Sequence, residues 1–174
     1  GPGAAGAEVW PLASRWVRDD AAMGKIEYFA YGSNMDEEAM RACCPGHRFI
    51  GVARLDDHRL GFTRRSVRTG TGVADVVSDR GHTVWGVLYE LDPDDVRALD
   101  RKEGRGWAYE RQQRHVRLLP DGSEHDAIIY SVLHRDAQEV PPSRGYIERL
   151  VTAARRRGLP ERYIAALSGK GVAR

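Results

Sequence analysis

The sequence predicts an α+β domain: a mixed, curled or barrel-like β-sheet of about six or seven strands flanked by a few short helices. Three observations carry that expectation. Strand-like apolar alternation fills the first two-thirds of the chain, helix punctuation is confined to a few places, and the chain ends in amphipathic-helix spacing. So many strands would not lie flat against a few short helices, and the sheet is therefore expected to curl or close.

Residues 1–24 read as an extension: the GPG start resembles a protease scar, Met23 offers an alternative start, and a short helix is expected around Trp10–Val17. The domain is expected over residues 25–168, with a tail over 169–174. Lys25–Tyr31 opens the sheet, with apolar residues at Ile26, Tyr28 or its neighbour Phe29, and Ala30. Phe49–Leu55 and Arg59–Arg64 follow, with DDH read as a turn between them. Gly72–Val77 and Thr83–Leu91 form the next pair, separated by the turn cluster SDRGH with its Gly81. VWGVLYEL is apolar at nearly every position and reads as a central strand buried on both faces.

In LDPDDVRALDRKEG, Asp92 stands at an N-cap position, Pro93 at the first helical position, and acids fill the first turn. Glu110–Leu119 and Asp126–Leu133 are strands joined by PDGS, a type I or II turn signal. In SRGYIERLVTAARRRGLP, Ile147, Leu150, Val151 and Ala154 line one face of a helix that Gly158 and Pro160 stop.

The composition bounds the function. With 174 residues, 41% apolar and 30% charged, the chain fits one globular domain with a core that needs no disulfides. Its 27 basic and 25 acidic residues leave a net charge of +2, which gives no case for a nucleic-acid partner. No apolar run approaches the ~18 residues a membrane span requires, and no membrane partner is expected. The two cysteines, Cys43 and Cys44, are adjacent and cannot staple distant elements, so a reducing cytoplasm is the expected location. The six histidines lack metal-ligand spacing, and neither a P-loop nor a dinucleotide fingerprint is present, so no metal and no cofactor are expected. Arg54, Arg59, Arg64, Arg65 and Arg68 read as a solvated strand face, with an anionic substrate portion or RNA as alternative partners.

One short stretch stands apart. In YFAYGSNMDEE an aromatic strand stops at Gly32, and Ser33 or Asn34 offers an N-cap for a helix over Met35–Cys43, with Glu37 completing a capping box. Gly32 is free to take a positive φ, and successive N–H groups from Gly32 to Met35 would then face one concavity suited to a carboxylate or an oxyanion. The alternative is a plain strand-to-helix connection.

FAYGSNM resembles the first-strand motif of the gamma-glutamylcyclotransferase family. GVADVVSDRGHTVWGVLYELDPDDVRALDRKEG resembles the family's central block, ending in L-D-x-x-E-G. PPSRGY, a helix, and then RRRGLPERYIAAL resemble its C-terminal signature. The match runs in register from about Ile26 to Leu167. The resemblance implies a cofactor-independent enzyme that releases 5-oxoproline and a free amine or amino acid from a gamma-glutamyl amide. There the substrate's own α-amino group attacks its γ-carbonyl, so a carboxylate must first take the ammonium proton and then hand one to the departing nitrogen.

By the same resemblance that carboxylate is Glu103, whose alternative is a solvated helix-end acid paired with Arg101, Lys102 or Arg105. The family uses the turn Tyr31-Gly32-Ser33-Asn34 to cradle the glutamyl portion, and Tyr109 and Tyr146 stand where it carries pocket-closing tyrosines; their alternative is packing. Tyr130 is a weaker third, and Trp85 and Trp107 read as core or pocket wall. Ser33 lacks a nucleophile elbow and is not expected to attack. The leaving group is open among gamma-glutamyl amino acids, amines and gamma-glutamyl-protected natural-product intermediates. A non-catalytic small-ligand-binding module of the same fold is the rival function, and an RNA-binding domain a weaker one.

Overall fold

Aromatic and β-branched alternation builds five strands: β1 (Ile26–Ala30), β2 (Arg48–Arg65), β3 (Gly72–Leu91), β4 (Tyr109–Leu118) and β5 (Ser123–Val132). In a computed structural model, which describes residues 24–174, they close into a barrel in the order β1-β3-β2-β4-β5. β1 runs antiparallel to β3 but parallel to β5, so one parallel seam closes an otherwise antiparallel sheet. The curled, mixed sheet expected from the sequence is thus a closed one. Four helices accompany it among the described residues: α1 (Glu37–Cys43), α2 (Pro93–Glu103), α3 (Arg144–Arg157) and α4 (Glu161–Ser168). The helix expected around Trp10–Val17 lies outside the described residues.

Each of the seven predicted strand segments falls on a strand to within one residue at either end, yet four of them fuse pairwise into β2 and β3. The cause is a bulge. Asp57 takes φ +59 and Gly81 φ +84, and the Asp57 carboxylate accepts a hydrogen bond from the Gly81 N–H at 3.0 Å. The ladder then steps from the pair Asp56–Thr83 to the pair His58–Ser78 and carries on. Residues that read as turn formers bend a continuous ribbon instead of ending it.

The VWGVLYEL segment of β3 is the most buried part of the sheet, with Val84, Val87, Leu88, Tyr89 and Leu91 all at 0% exposure. Each large side chain buried there contributes about 1.5–3 kcal/mol relative to exposure. Gly86 lets β1 pass close by: a Cβ on it would sit 2.3 Å from the Ala30 carbonyl oxygen.

Two capped helices frame the barrel. In α2, the Asp92 carboxylate accepts from the Asp95 N–H at 2.9 Å, Val96 and Leu99 face the core, and Gly104 closes the helix at φ +66. Glu103 is therefore fixed at the last helical position. In α3, the Ser143 hydroxyl accepts from the Tyr146 N–H at 3.1 Å, and Ile147, Leu150, Ala153 and Ala154 are buried. No helix among the described residues is long and apolar enough to cross a membrane.

Candidate active site

The chain leaves β1 through Tyr31, whose hydroxyl donates to the Tyr130 backbone carbonyl on β5 and pins the start of the turn to the barrel. Gly32 follows with φ −118, so the positive φ allowed by its sequence is not used. Its hydrogen matters for space: a Cβ there would lie 3.7 Å from the Tyr146 hydroxyl and 3.8 Å from the Ala74 Cβ, inside a narrow pocket.

The expected helix over Met35–Cys43 is also divided. Ser33–Met35 forms a single 3-10 turn, and α1 starts afresh at Glu37 with Asp36 as its N-cap, its carboxylate accepting from the Ala39 N–H at 3.0 Å. Neither Ser33 nor Asn34 caps. The reason is that the Asn34 side chain is used elsewhere: its amide nitrogen donates to the Glu103 carboxylate at 2.9 Å and to the Tyr28 hydroxyl at 3.1 Å. Its carbonyl end accepts from the Lys102 ammonium at 2.5 Å. The turn's outer carbonyls are held too, with Tyr89 donating to Asn34 O at 2.7 Å and Arg157 to Met35 O at 3.0 Å. The N–H groups of Gly32, Ser33 and Asn34 donate to no acceptor among the described residues.

Opposite the turn, Tyr109 and Tyr146 grip one residue of β3 from two sides. Tyr109 donates to the Ala74 carbonyl at 2.8 Å, and Tyr146 accepts from the Ala74 N–H at 3.2 Å. Tyr109 has thus spent its proton and presents an acceptor, whereas Tyr146 keeps a proton to donate. Burial raises the pKa of Tyr28, Tyr31, Tyr109 and Tyr130, and pushes Tyr146 up to about 12, so these hydroxyls stay neutral.

Glu103 lines this same pocket, with the turn on one side and Tyr109 and Tyr146 among its walls. Removal from water raises its pKa, a shift that the nearby Lys102 charge and the Asn34 hydrogen bond partly oppose. The ion pairs considered as its alternative are not made: Arg105 reaches Asp100 at 3.1 Å, and Lys102 bonds Asn34. A carboxyl with raised proton affinity, facing a row of uncommitted amide donors, can exchange a proton with a bound amine while the donors hold an oxygen that gains charge.

A protein-family description, "Gamma-glutamyl cyclotransferase, AIG2-like", matches residues 28–148. The gamma-glutamylcyclotransferases of Bos taurus and Homo sapiens are each 31% identical to this chain over 141 residues, spanning 78% of it and 73% of either relative. The chain belongs to the gamma-glutamyl cyclotransferase family. A solved gamma-glutamyl cyclotransferase structure superposes with a TM-score of 0.80 at 28% identity, over 86% of this chain and 89% of that one. The barrel is therefore the fold of this family, as the resemblance of the motifs implied.

All seven residues named from the sequence (Tyr31, Gly32, Ser33, Asn34, Glu103, Tyr109 and Tyr146) line one pocket. The family motifs did not single out Tyr28 or Ala74, which complete the wall with Tyr130. Tyr28 carried one faint signal, a polar tip on a strand position pointing into the barrel; Ala74 carried none. Tyr130 donates to Asp100 at 2.6 Å. Trp107, expected as core or pocket wall, is 65% exposed, with the Arg64 guanidinium stacked 5.5 Å from its ring. Trp85 is half-buried against the core. On the arginine-rich strands, Arg54 pairs with Asp56 at 3.4 Å and Arg59 with Glu139 at 2.6 Å.

Proposed function

We propose that this chain cyclises gamma-glutamyl amides, with Glu103 as the acid/base group. The substrate's α-ammonium group gives a proton to the Glu103 carboxylate, and the free amine attacks the γ-carbonyl carbon. The carbonyl oxygen becomes an oxyanion facing the Gly32, Ser33 and Asn34 N–H groups. Collapse breaks the C–N bond as Glu103 gives its proton to the leaving nitrogen; the carboxylate then takes the second proton from the attacking nitrogen and passes it to the departing amine, releasing 5-oxoproline and the protonated amine. Asn34 orients the carboxylate, and Tyr31, Tyr109 and Tyr146 supply hydroxyl contacts to the glutamyl portion. The nucleophile travels with the substrate, so the pocket's task is to fold it into attack geometry.

One observation carries this reading: the raised Glu103 carboxyl lies beside the uncommitted amides, tied to their turn by the 2.9 Å Asn34 bond. Family membership supports the reaction type. The adjacent free cysteines, Cys43 half-buried and Cys44 buried, are in keeping with action in the cytoplasm. The test is incubation with gamma-glutamyl-alanine and measurement of 5-oxoproline. Release by the wild type and its near-abolition in Glu103→Gln are expected; a wild type that releases none contradicts the reading.

A further inference from the structure

Arg157 is the last residue of α3, and Gly158 turns the chain away behind it at φ +82. Its half-buried side chain reaches the back of the turn after β1, the guanidinium lying 4.4 Å from the ring centre of Phe49 and 5.6 Å from that of Tyr89. It forms no ion pair among the described residues. Its charge is directed at peptide groups instead.

Two relays of hydrogen bonds start there. In one, Arg157 Nε donates to the Met35 carbonyl at 3.0 Å. The N–H of that same peptide group, on Asp36, donates to the Ser33 carbonyl at 3.2 Å, whose own peptide N–H is the uncommitted amide of Asn34. In the other, Arg157 Nη2 donates to the Tyr89 hydroxyl at 3.1 Å, and that hydroxyl donates to the Asn34 carbonyl at 2.7 Å. The N–H of this second peptide group, on Met35, donates to the Gly32 carbonyl at 3.0 Å, whose own N–H is the uncommitted amide of Ser33. Burial pushes the Tyr89 hydroxyl up to about 12, so it remains a neutral donor.

Each peptide group in such a relay polarises the next, by about 10–30% per bond. A cation at the head of both relays therefore leaves more positive charge on the two terminal N–H groups. That charge counts for little against a neutral carbonyl and for much against an oxyanion.

We propose that Arg157 is a positioning residue of the cyclisation: through Met35 and Tyr89 it aligns and polarises the Asn34 and Ser33 amides that receive the oxyanion. This rests on the cyclotransferase reading above.

The experiment measures kcat and KM separately for 5-oxoproline release from gamma-glutamyl-alanine. Losing one oxyanion donor outright costs about 10²–10³ in kcat, so weakening two should cost Arg157→Met about tenfold in kcat while KM stays within about twofold. Arg157→Lys keeps the charge and a donor, and its kcat should stay within about threefold of the wild type. Tyr89→Phe cuts one relay and should fall between the two. A kcat unchanged in Arg157→Met, or a loss confined to KM or to the denaturant midpoint, overturns the role of Arg157; with the wild type active and Glu103→Gln inactive, the cyclotransferase reading still stands. Should Arg157→Met not fold, Tyr89→Phe carries the same test, and an unchanged kcat there overturns the proposal. A wild type that releases no 5-oxoproline overturns both.

Discussion

Glu103 and Asp75 are both acids that folding withdraws from water, and the protein provides for them in opposite ways. Asp75, at 0% exposure, accepts from the Thr63 hydroxyl at 2.7 Å, the Val132 N–H at 3.0 Å and the Arg135 guanidinium at 2.7 Å. It ties β3 to β2 and to the end of β5, two strands that no ladder joins to one another at that point. Glu103 accepts a hydrogen bond from Asn34 and otherwise faces the pocket, and its pKa rises. A carboxylate surrounded by donors serves the fold. One left under-supplied costs stability and gains a usable proton affinity. The two are linked through Ala74, whose backbone is gripped by Tyr109 and Tyr146 one residue before Asp75. The structural acid thus holds the wall of the pocket in which Glu103 is proposed to exchange protons.

That contrast breaks most visibly in activity. Replacing Glu103 with Gln should lower kcat/KM by about 10³-fold or more, because proton transfer alone is worth about 10²–10⁴. Its stability should move the other way. A folded pKa above the unfolded one means the native state holds the proton longer, so stability falls as pH rises from the ordinary value of 4.5 through the raised one. Glu103→Gln removes that loss and should gain up to about 1 kcal/mol at neutral pH in denaturant melts. A large stability loss in this variant would place Glu103 with the structural acids.

Asp75→Ala should do the reverse, costing about 3 kcal/mol of stability by stranding a buried hydroxyl, an N–H and part of a guanidinium. A variant that unfolds at the wild-type denaturant midpoint would show that the Asp75 network carries little. Asn34→Ala is the intermediate case. It deprives Glu103 of the bond that lowers its pKa, so kcat/KM should drop about 10- to 100-fold and the acid side of the pH–rate profile should move to higher pH. The smallest effect belongs to Gly32→Ala. Its Cβ fits the fold at 3.7–3.8 Å from its neighbours but occupies substrate space. It should raise KM about tenfold while stability stays within about 0.5 kcal/mol.

Half of this contrast was written in local sequence. Asp92-Pro93 and Gly104 bracket a helix so plainly that the position of Glu103 at its end follows from capping rules alone. The apolar run of β3 was equally legible, and so was the end of β1 at Gly32, though not the conformation of the turn that follows. Asp75 was not, since nothing near it in the chain announces Thr63, Val132 or Arg135, and its role depends on pairings 12 to 60 residues away. The same holds for Asn34, which reads as a cap and serves as a carboxylate's donor because Glu103 lies 69 residues on. DDH and SDRGH misled for another reason: a left-handed Asp and a Gly make a bulge as readily as a turn, and the partner strand decides which.

The most direct measurement is kcat/KM for gamma-glutamyl-alanine as a function of pH, from about 4 to 8. A rise governed by one ionisation distinctly above the ordinary glutamate value of 4.5 is expected, displaced further upward in Asn34→Ala. A profile that is flat across that range, or one whose ionisation sits at or below 4.5 and ignores Asn34, would contradict it.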